Sequence, residues 1–328
     1  MKVKKPKATW VDPVVEAEIQ YSSLTSEGLL REPIYIAVRR DLLPEQPAGG
    51  AKLPAIEGPK AKPHIGVPRE NILQLLPDAV APTKEDLVAY WKKVGKRALA
   101  RLGRRPLKLV RHTHRTIFYH RGPLPPVPES VHQLKIKKRE GGEGTRLWID
   151  TVDGFLGLVA LGAVELHPWN STVDDLEHPD LLVFDLDPGD GIAWEFVTDT
   201  ALNLRELLKR EGLESWPKLT GGKGVHLMVP IETTLTHDEA RNYAKSLAHR
   251  LAATDSARYI LSSDPSQRPG KIFIDYLRNG RGNTAVGAYS PRVRAGFPVA
   301  APVSWRRIEA GIQAGAFSIQ KPPGNRRL

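Results

Sequence analysis

Cysteine does not occur anywhere in this 328-residue chain. That absence excludes disulfide bonds and zinc sites with cysteine ligands. Long apolar runs are missing as well: the longest nearly apolar stretch, residues 155–164, is about half of the roughly 20 residues that a transmembrane helix requires. No signal peptide is apparent. We therefore expect a cytoplasmic protein.

Acidic residues are outnumbered by basic ones, 37 to 48, which gives a formal net charge of +11 and a pI of about 9.7. This balance favours a polyanionic partner. The basic residues form two clusters that could each follow a DNA backbone. The first cluster, on and just after a predicted helix over about 84–102, contains Lys92, Lys93, Lys96, Arg97, Arg101, Arg104, Arg105 and Lys108. The second contains Lys135, Lys137, Lys138 and Arg139.

Two carboxylates end a predicted buried strand at 181–187, which reads Leu-Leu-Val-Phe-Asp-Leu-Asp. Side chains alternate along a strand, so Asp185 and Asp187 share one face. Paired hard oxygen ligands suit Mg²⁺ or Mn²⁺ that must also hold substrate phosphates. The same pattern occurs in phosphatases of the haloacid dehalogenase type, in metal-dependent glycosyltransferases and in nucleotide polymerases. It also occurs as a bare surface turn.

A glycine-rich turn at 220–226, Thr-Gly-Gly-Lys-Gly-Val-His, leads into another predicted strand. Glycines let backbone N–H groups approach an anion closely, and Thr220, Lys223 and His226 add a hydroxyl, an ammonium and an imidazole. The turn does not match a Walker-type loop, because the sequence pattern of that loop is not met and a strand rather than a helix follows. The turn predicts a phosphate-binding loop, with a plain hairpin turn as the alternative.

A third carboxylate, Asp275, follows the apolar strand Lys-Ile-Phe-Ile at 271–274. Two-metal phosphoryl-transfer sites need shared carboxylates, which the first two residues alone do not supply. Downstream, Arg292 and Arg294 share one face if the chain is extended there. Their guanidinium groups suit phosphate oxygens.

The coarse pattern predicts an α+β fold in which a mixed or antiparallel sheet carries the acidic residues. Predicted strands lie at 147–150, 181–187, 225–231 and 271–276, and predicted helices at 84–102, 199–211 and 237–252.

Taken in chain order, these motifs resemble the polymerase domain of bacterial ligase D, a member of the archaeo-eukaryotic primase superfamily. The resemblance covers roughly residues 64–328 and includes Glu-Leu-His-Pro-Trp-Asn at 165–170. It implies a primase-polymerase fold that binds two Mn²⁺ or Mg²⁺ ions. The implied metal triad is Asp185, Asp187 and Asp275, and the implied triphosphate contacts are Thr220, Lys223, Gly224, His226 and Arg292.

The resemblance also implies template-directed nucleotidyl transfer at DNA gaps and ends in bacterial non-homologous end joining. Nucleoside triphosphates would be the substrates, with ribonucleotides preferred, and the DNA-end protein Ku and a DNA ligase would be partners at the nucleoid. A phosphatase is disfavoured by Pro188-Gly189 and by the lack of a downstream acidic pair. A glycosyltransferase leaves Asp275, His226 and Arg292 unexplained. A DNA-end-binding module with weakened catalysis remains the alternative.

One segment departs from the family pattern. Residues 117–121 read Ile-Phe-Tyr-His-Arg where the family usually has Phe-Phe-Gln-Lys-His. We expect Phe118 and Tyr119 to stack on a nucleotide base and Arg121 to replace the family lysine. Lys84 is the candidate contact to a DNA 5′-phosphate.

Residues 1–43 resemble the C-terminal end of the oligonucleotide-binding domain of the ligase module. No Lys-x-Asp-Gly adenylation motif occurs in the chain, so no ligase activity is expected. Residues 44–63 are rich in proline and glycine and read as an extended linker to the polymerase domain at 64–328.

Overall fold

The computed structural model describes residues 79–113, 116–120, 124–137 and 141–324, together with the backbone of five short strands nearer the N-terminus. The chain divides into two compact units, residues 1–64 and 65–328. No helix in the described ranges combines the length and the apolar character needed to cross a bilayer.

The first unit contains two antiparallel strand pairs. Strand β1 (Ala17–Gln20) pairs with β4 (Ile34–Val38), and β2 (Ser23–Leu24) pairs with β3 (Leu30–Arg31). Their assignment to an oligonucleotide-binding domain stays a prediction. The expected linker at 44–63 lies outside the described residues.

The second unit contains two six-stranded sheets. The first has the order β5-β7-β6-β9-β8, with β10 also paired to β6. Its strands are β5 (Leu73–Gln74), β6 (Leu107–Thr113), β7 (Thr116–Tyr119), β8 (His132–Lys137), β9 (Glu143–Trp148) and β10 (Ala163–Pro168).

The second sheet has the order β14-β15-β11-β13-β12-β16. Its strands are β11 (Leu181–Pro188), β12 (Trp216–Leu219), β13 (Val225–Pro230), β14 (Tyr259–Ile260), β15 (Ile272–Asp275) and β16 (Ala301–Pro302). All neighbours are antiparallel except β14 and β15, which are parallel. The predicted α+β class with a mixed sheet is therefore confirmed.

Within the described residues of this unit there are five α-helices: α1 (Lys84–Leu102), α2 (Val152–Ala160), α3 (Trp194–Arg210), α4 (His237–Thr254) and α5 (Trp305–Glu309). The hydroxyl of Thr83 accepts a hydrogen bond from the Asp86 N–H and caps α1. Helix α3 begins five residues before its predicted start, because Val197 and Ala201 extend the buried stripe of Leu204 and Leu208 toward the N-terminus.

Side chains of β11 alternate between the core and the opposite face of the sheet, and only those on the opposite face are available to a functional site. Leu182, Phe184 and Leu186 are fully buried in the main core, which also includes the apolar faces of α3 and α4. Burial of each such side chain stabilises the fold by about 1.5–3 kcal/mol. Asp185 and Asp187 therefore lie on the opposite face of the sheet.

Candidate active site

Four polar side chains form a row across the centre of the second sheet. Asp185 on β11 lies directly opposite His226 on β13 and Asp275 on β15, and His226 lies opposite Lys218 on β12. Residues directly opposite each other in antiparallel strands share a face. All four residues are buried, and Asp187 follows Asp185 on the same face.

Arg278 supplies the positive charge between two of these acids. Its Nε lies 3.0 Å from Asp275 Oδ2 and 3.4 Å from Asp185 Oδ2. The residue belongs to a single 3₁₀ turn, Leu277–Asn279, which starts where the Leu277 N–H donates to Asp275 Oδ1 at 2.7 Å. The turn therefore directs the guanidinium back toward the end of β15.

The acidic residues differ in their protonation. Burial by itself would raise the pKa of Asp185, but His226 and Arg278 bring that pKa down to about 2. Burial and the charge of Asp185 raise the pKa of Asp187 to about 7. Burial likewise raises the pKa of Asp275. Burial and the neighbouring carboxylates therefore oppose the ionisation of Asp187 and Asp275.

Burial lowers the pKa values of the two basic members of the row. Burial lowers the pKa of His226 to about 4, against the opposing effect of Asp185, so its imidazole is neutral at physiological pH. Its Nε2 lies 3.1 Å from Asp185 Oδ1. Burial lowers the pKa of Lys218 to about 7, and its Nζ donates to the Val286 carbonyl.

The donor set suits a divalent cation, because hard carboxylate oxygens from two opposed strands already converge on one positive charge. In the described residues, however, no group of three or more acidic or imidazole side chains is arranged to hold a metal ion. Asp185, Asp187 and Asp275 could hold an ion only after Arg278 and the carboxylates rearrange. Their metal role stays a prediction.

The glycine turn lies beside this acidic group. A Cβ on Gly224 would be 2.6 Å from the Leu186 carbonyl and 3.3 Å from Asp187 Oδ1, so this position requires glycine. Thr220 shapes the turn: its hydroxyl donates to the Gly224 carbonyl and accepts from the Gly222 and Gly224 N–H groups. Thr220 would have to give up one of these bonds to contact a phosphate.

Lys223 extends from the turn into solvent, with 76% of its side chain exposed, and lies 3.7 Å from the exposed Asp190. A long, mobile ammonium beside backbone N–H groups is suited to meet a triphosphate. This contact was predicted from the sequence, and nothing in the geometry prevents it.

Two arginines flank the same turn. The Arg292 Nη1 donates to the Thr220 carbonyl at 2.7 Å, and the Arg294 guanidinium lies against Gly222. Glu165 fixes Arg292 through an Nε contact of 3.0 Å. The predicted alternation of Arg292 and Arg294 therefore brings both side chains to the predicted phosphate-binding loop.

Phe118 and Tyr119 face different environments, as neighbouring residues of a strand must. Phe118 is buried under the Arg111 guanidinium, 5.7 Å from its ring centroid. Tyr119 is half-buried beside His167, with a ring distance of 5.5 Å. This packing favours Tyr119 over Phe118 as a base-stacking residue. Arg121 lies outside the described residues.

The predicted DNA contacts differ in their surroundings: in the first basic cluster, Arg104 pairs with Asp174 and Arg105 pairs with Asp180 through two hydrogen bonds. Lys84 is exposed at the first position of α1, where it is free to meet a phosphate. In the second basic cluster, Lys138 and Arg139 are outside the described residues. The DNA role of both clusters stays a prediction.

Sequence reasoning assigned no role to the two residues that organise the charges, Arg278 and Glu165, although Glu165 begins the motif at 165–170. Glu165 contacts Arg292 across 127 positions of the chain, so no local pattern could have revealed the pair. Arg278 had a weak local signal, since a basic residue three positions after a strand-ending carboxylate can turn back onto it.

Comparison with known proteins identifies the family. Residues 83–327 match the family described as LigD, primase-polymerase domain. The multifunctional non-homologous end joining protein LigD of Pseudomonas aeruginosa is 30% identical over 326 residues, which cover 96% of this chain and 39% of that protein. The bifunctional LigD of Bacillus subtilis is 26% identical over 241 residues, covering 72% of this chain and 38% of that protein.

A solved structure shows the same fold. The polymerase domain of Mycobacterium tuberculosis ligase D in complex with DNA superposes with a TM-score of 0.68 and 26% identity, over 76% of this chain and 92% of that domain. The chain spans about two fifths of the Pseudomonas and Bacillus relatives. On the family match and this shared fold, the chain belongs to the LigD primase-polymerase domain family.

Proposed function

We propose that this protein is a template-directed nucleotidyltransferase that extends primers at DNA gaps and ends during bacterial non-homologous end joining. The observation that carries the proposal is the adjacency of two opposed carboxylates, Asp185 and Asp275, to a glycine turn flanked by arginines. Attack of a primer 3′-hydroxyl on the α-phosphate of a nucleoside triphosphate needs both an acidic centre and a triphosphate site.

The acidic centre would hold Mn²⁺ or Mg²⁺ through Asp185, Asp187 and Asp275. When bound, such ions lower the charge of the triphosphate and ease deprotonation of the attacking hydroxyl. Arg278 Nε lies 3.4 Å from Asp185 Oδ2 and His226 Nε2 lies 3.1 Å from Asp185 Oδ1, and these two neighbours hold the pKa of Asp185 down to about 2. This leaves the carboxylate available as a ligand at physiological pH.

The triphosphate would lie along the glycine turn. The backbone N–H groups of Gly221 and Lys223, the exposed Lys223 ammonium and the guanidinium of Arg292 would supply donors of three kinds to phosphate oxygens. Glu165 holds Arg292 so that its fork points toward the turn. Tyr119 would stack on the base.

DNA is the proposed macromolecular ligand, supported by the net charge of +11 and by the related polymerase domain in complex with DNA. We propose Lys84 as a 5′-phosphate contact, ribonucleotides as preferred substrates, and Ku and a DNA ligase as partners. The Pseudomonas match covers 96% of this chain and so reaches into residues 1–64, which supports the proposed ligase remnant there.

A binding-only role is the second candidate. The burial of Phe118 and the arginine within the acidic centre favour it. Extension of a labelled primer across a gapped duplex, with Mn²⁺ and either ribonucleotides or deoxyribonucleotides, separates the two. We expect template-dependent addition, faster with ribonucleotides. Tight DNA binding without any addition would establish the binding-only role instead.

A further inference from the structure

Arg278 has a fixed backbone and a weakly held side chain. The next residue, Asn279, is buried and clamps the 3₁₀ turn to β11: its amide donates to the Val183 carbonyl at 2.9 Å and accepts from the Val183 N–H at 2.8 Å. The Arg278 side chain is 38% exposed and so has open space next to it. The guanidinium can leave the carboxylates without moving the turn.

The ion pair with the acids lacks directed hydrogen bonds. Within the described residues, neither the Arg278 Nε–H nor Asp185 Oδ1 has an aligned hydrogen-bond partner. Other arginines in the protein bind carboxylates in a bidentate manner, with Arg281 contacting Glu177 through two bonds of 2.7 Å. Bidentate pairs are the stronger kind. Charge rather than geometry holds Arg278 in place.

We propose that Arg278 is the resident counter-cation of the acidic centre and that a divalent ion displaces it on binding. This inference rests on the proposed function, because it takes Asp185 and Asp275 as metal ligands. A guanidinium between two carboxylates keeps them together in the metal-free protein. The same guanidinium competes with the ion for the same oxygens.

Displacement gives two measurable consequences. Removal of the guanidinium charge should tighten metal binding, since a unit charge a few ångströms away opposes the ion strongly. It should also destabilise the metal-free protein, because the buried carboxylates lose their compensating charge. Added metal should restore that stability by mass action.

The first experiment measures Mn²⁺ binding by calorimetry for the parent, Arg278→Gln and Arg281→Gln. We expect Arg278→Gln to bind Mn²⁺ at least about tenfold more tightly than the parent. Its melting temperature should also rise more on addition of Mn²⁺ than that of the parent. Arg281→Gln is the control, since it removes an arginine whose carboxylate partner is Glu177, and it should behave as the parent. Unchanged or weaker Mn²⁺ binding by Arg278→Gln would overturn the inference.

A second experiment follows the parent protein and so does not depend on the folding of Arg278→Gln. The Nε–H resonance of Arg278 is identified by its absence from the spectrum of Arg278→Lys. In the parent, this resonance is monitored by ¹⁵N nuclear magnetic resonance while Mg²⁺ is added. We expect this resonance to shift and to exchange faster with water, whereas the Arg281 resonance stays constant. A resonance of Arg278 that does not respond at saturating Mg²⁺ would exclude displacement.

Asp185→Asn separates failure of this inference from failure of the proposed metal centre. If Asp185→Asn binds Mn²⁺ as tightly as the parent, the carboxylate is not a ligand and the metal centre itself fails. If Asp185→Asn loses Mn²⁺ while Arg278→Gln gains nothing, the metal centre stands and only the counter-cation role of Arg278 fails.

Discussion

Glu165 is buried, and its two carboxylate oxygens hold different partners. Oε1 accepts from Arg292 and from the Val293 N–H, and Oε2 lies 2.9 Å from His167 Nε2. Burial would raise the pKa of this carboxyl, but His167, Arg292 and the Val293 N–H bring the pKa down to about 2. The ionised form therefore both stabilises the fold and orients Arg292.

Glu165→Gln should destabilise the protein in a pH-dependent manner. A carboxyl whose pKa is lowered by folding contributes stability above its unfolded pKa and loses it as the pH falls toward the folded one, here from about 4.5 to about 2. The shift corresponds to roughly 3 kcal/mol at neutral pH. Urea unfolding at pH 7 and at pH 3 should show a smaller difference between parent and variant at pH 3. An equal difference at both values would contradict the ionised role.

Lys223→Ala should weaken nucleotide use without weakening the fold. The side chain is exposed, and its contact with exposed Asp190 is 3.7 Å, a pair that contributes little to stability. We expect a higher KM for the nucleoside triphosphate with the melting temperature and DNA affinity unchanged. Lys245→Ala, an exposed lysine on α4, is the matched control. An unchanged KM in Lys223→Ala would remove the lysine from the triphosphate site.

Among the elements, the glycine turn packs tightly against β11. Gly224→Ala would place a Cβ 2.6 Å from the Leu186 carbonyl, so β11 and β13 must shift apart next to Asp187. We expect a loss of about 1–3 kcal/mol, the usual cost of overpacking, together with weaker Mn²⁺ binding. Gly315→Ala has open space around its Cβ and should change neither property. Chemical denaturation and calorimetry measure both effects.

Strand periodicity explains what could be predicted at the level of elements. An apolar run that ends in Asp-x-Asp requires both acids on one face, and β11 has that arrangement. By the same rule, the side chains of Phe118 and Tyr119 lie on opposite faces of the sheet, because they are neighbours on β7. Sequence alone did not show which of the two faces the core, since that depends on packing against residues distant in the chain.

Long-range partners explain what could not be predicted. Asn279 clamps its turn to β11 across 96 positions, and Glu165 reaches Arg292 across 127. Contacts of this kind form only when segments distant in the chain come together. Polar pairs that orient a site were therefore missed, while the residues that would touch substrate were named from motifs.

For the molecule as a whole, a net charge of +11 predicts DNA affinity that falls steeply with salt, because each neutralised phosphate releases condensed counterions. Lys84→Ala should lower the slope of log affinity against log salt by about 1 and abolish any preference for a 5′-phosphorylated gap. Lys209→Ala, whose ammonium contacts Glu206, is the control. Equal binding of phosphorylated and unphosphorylated gaps by the parent would exclude the proposed role of Lys84.

In the proposed function, the carboxylates of the acidic centre would hold the metal ions for nucleotide transfer on bound DNA. The most direct test measures primer extension and DNA affinity side by side for the parent, Asp275→Asn and Asp199→Asn, an exposed control on α3. We predict that Asp275→Asn lowers extension by orders of magnitude, since it removes one ligand charge, while DNA affinity is retained and the control matches the parent. Extension by Asp275→Asn at the parent rate would contradict the account.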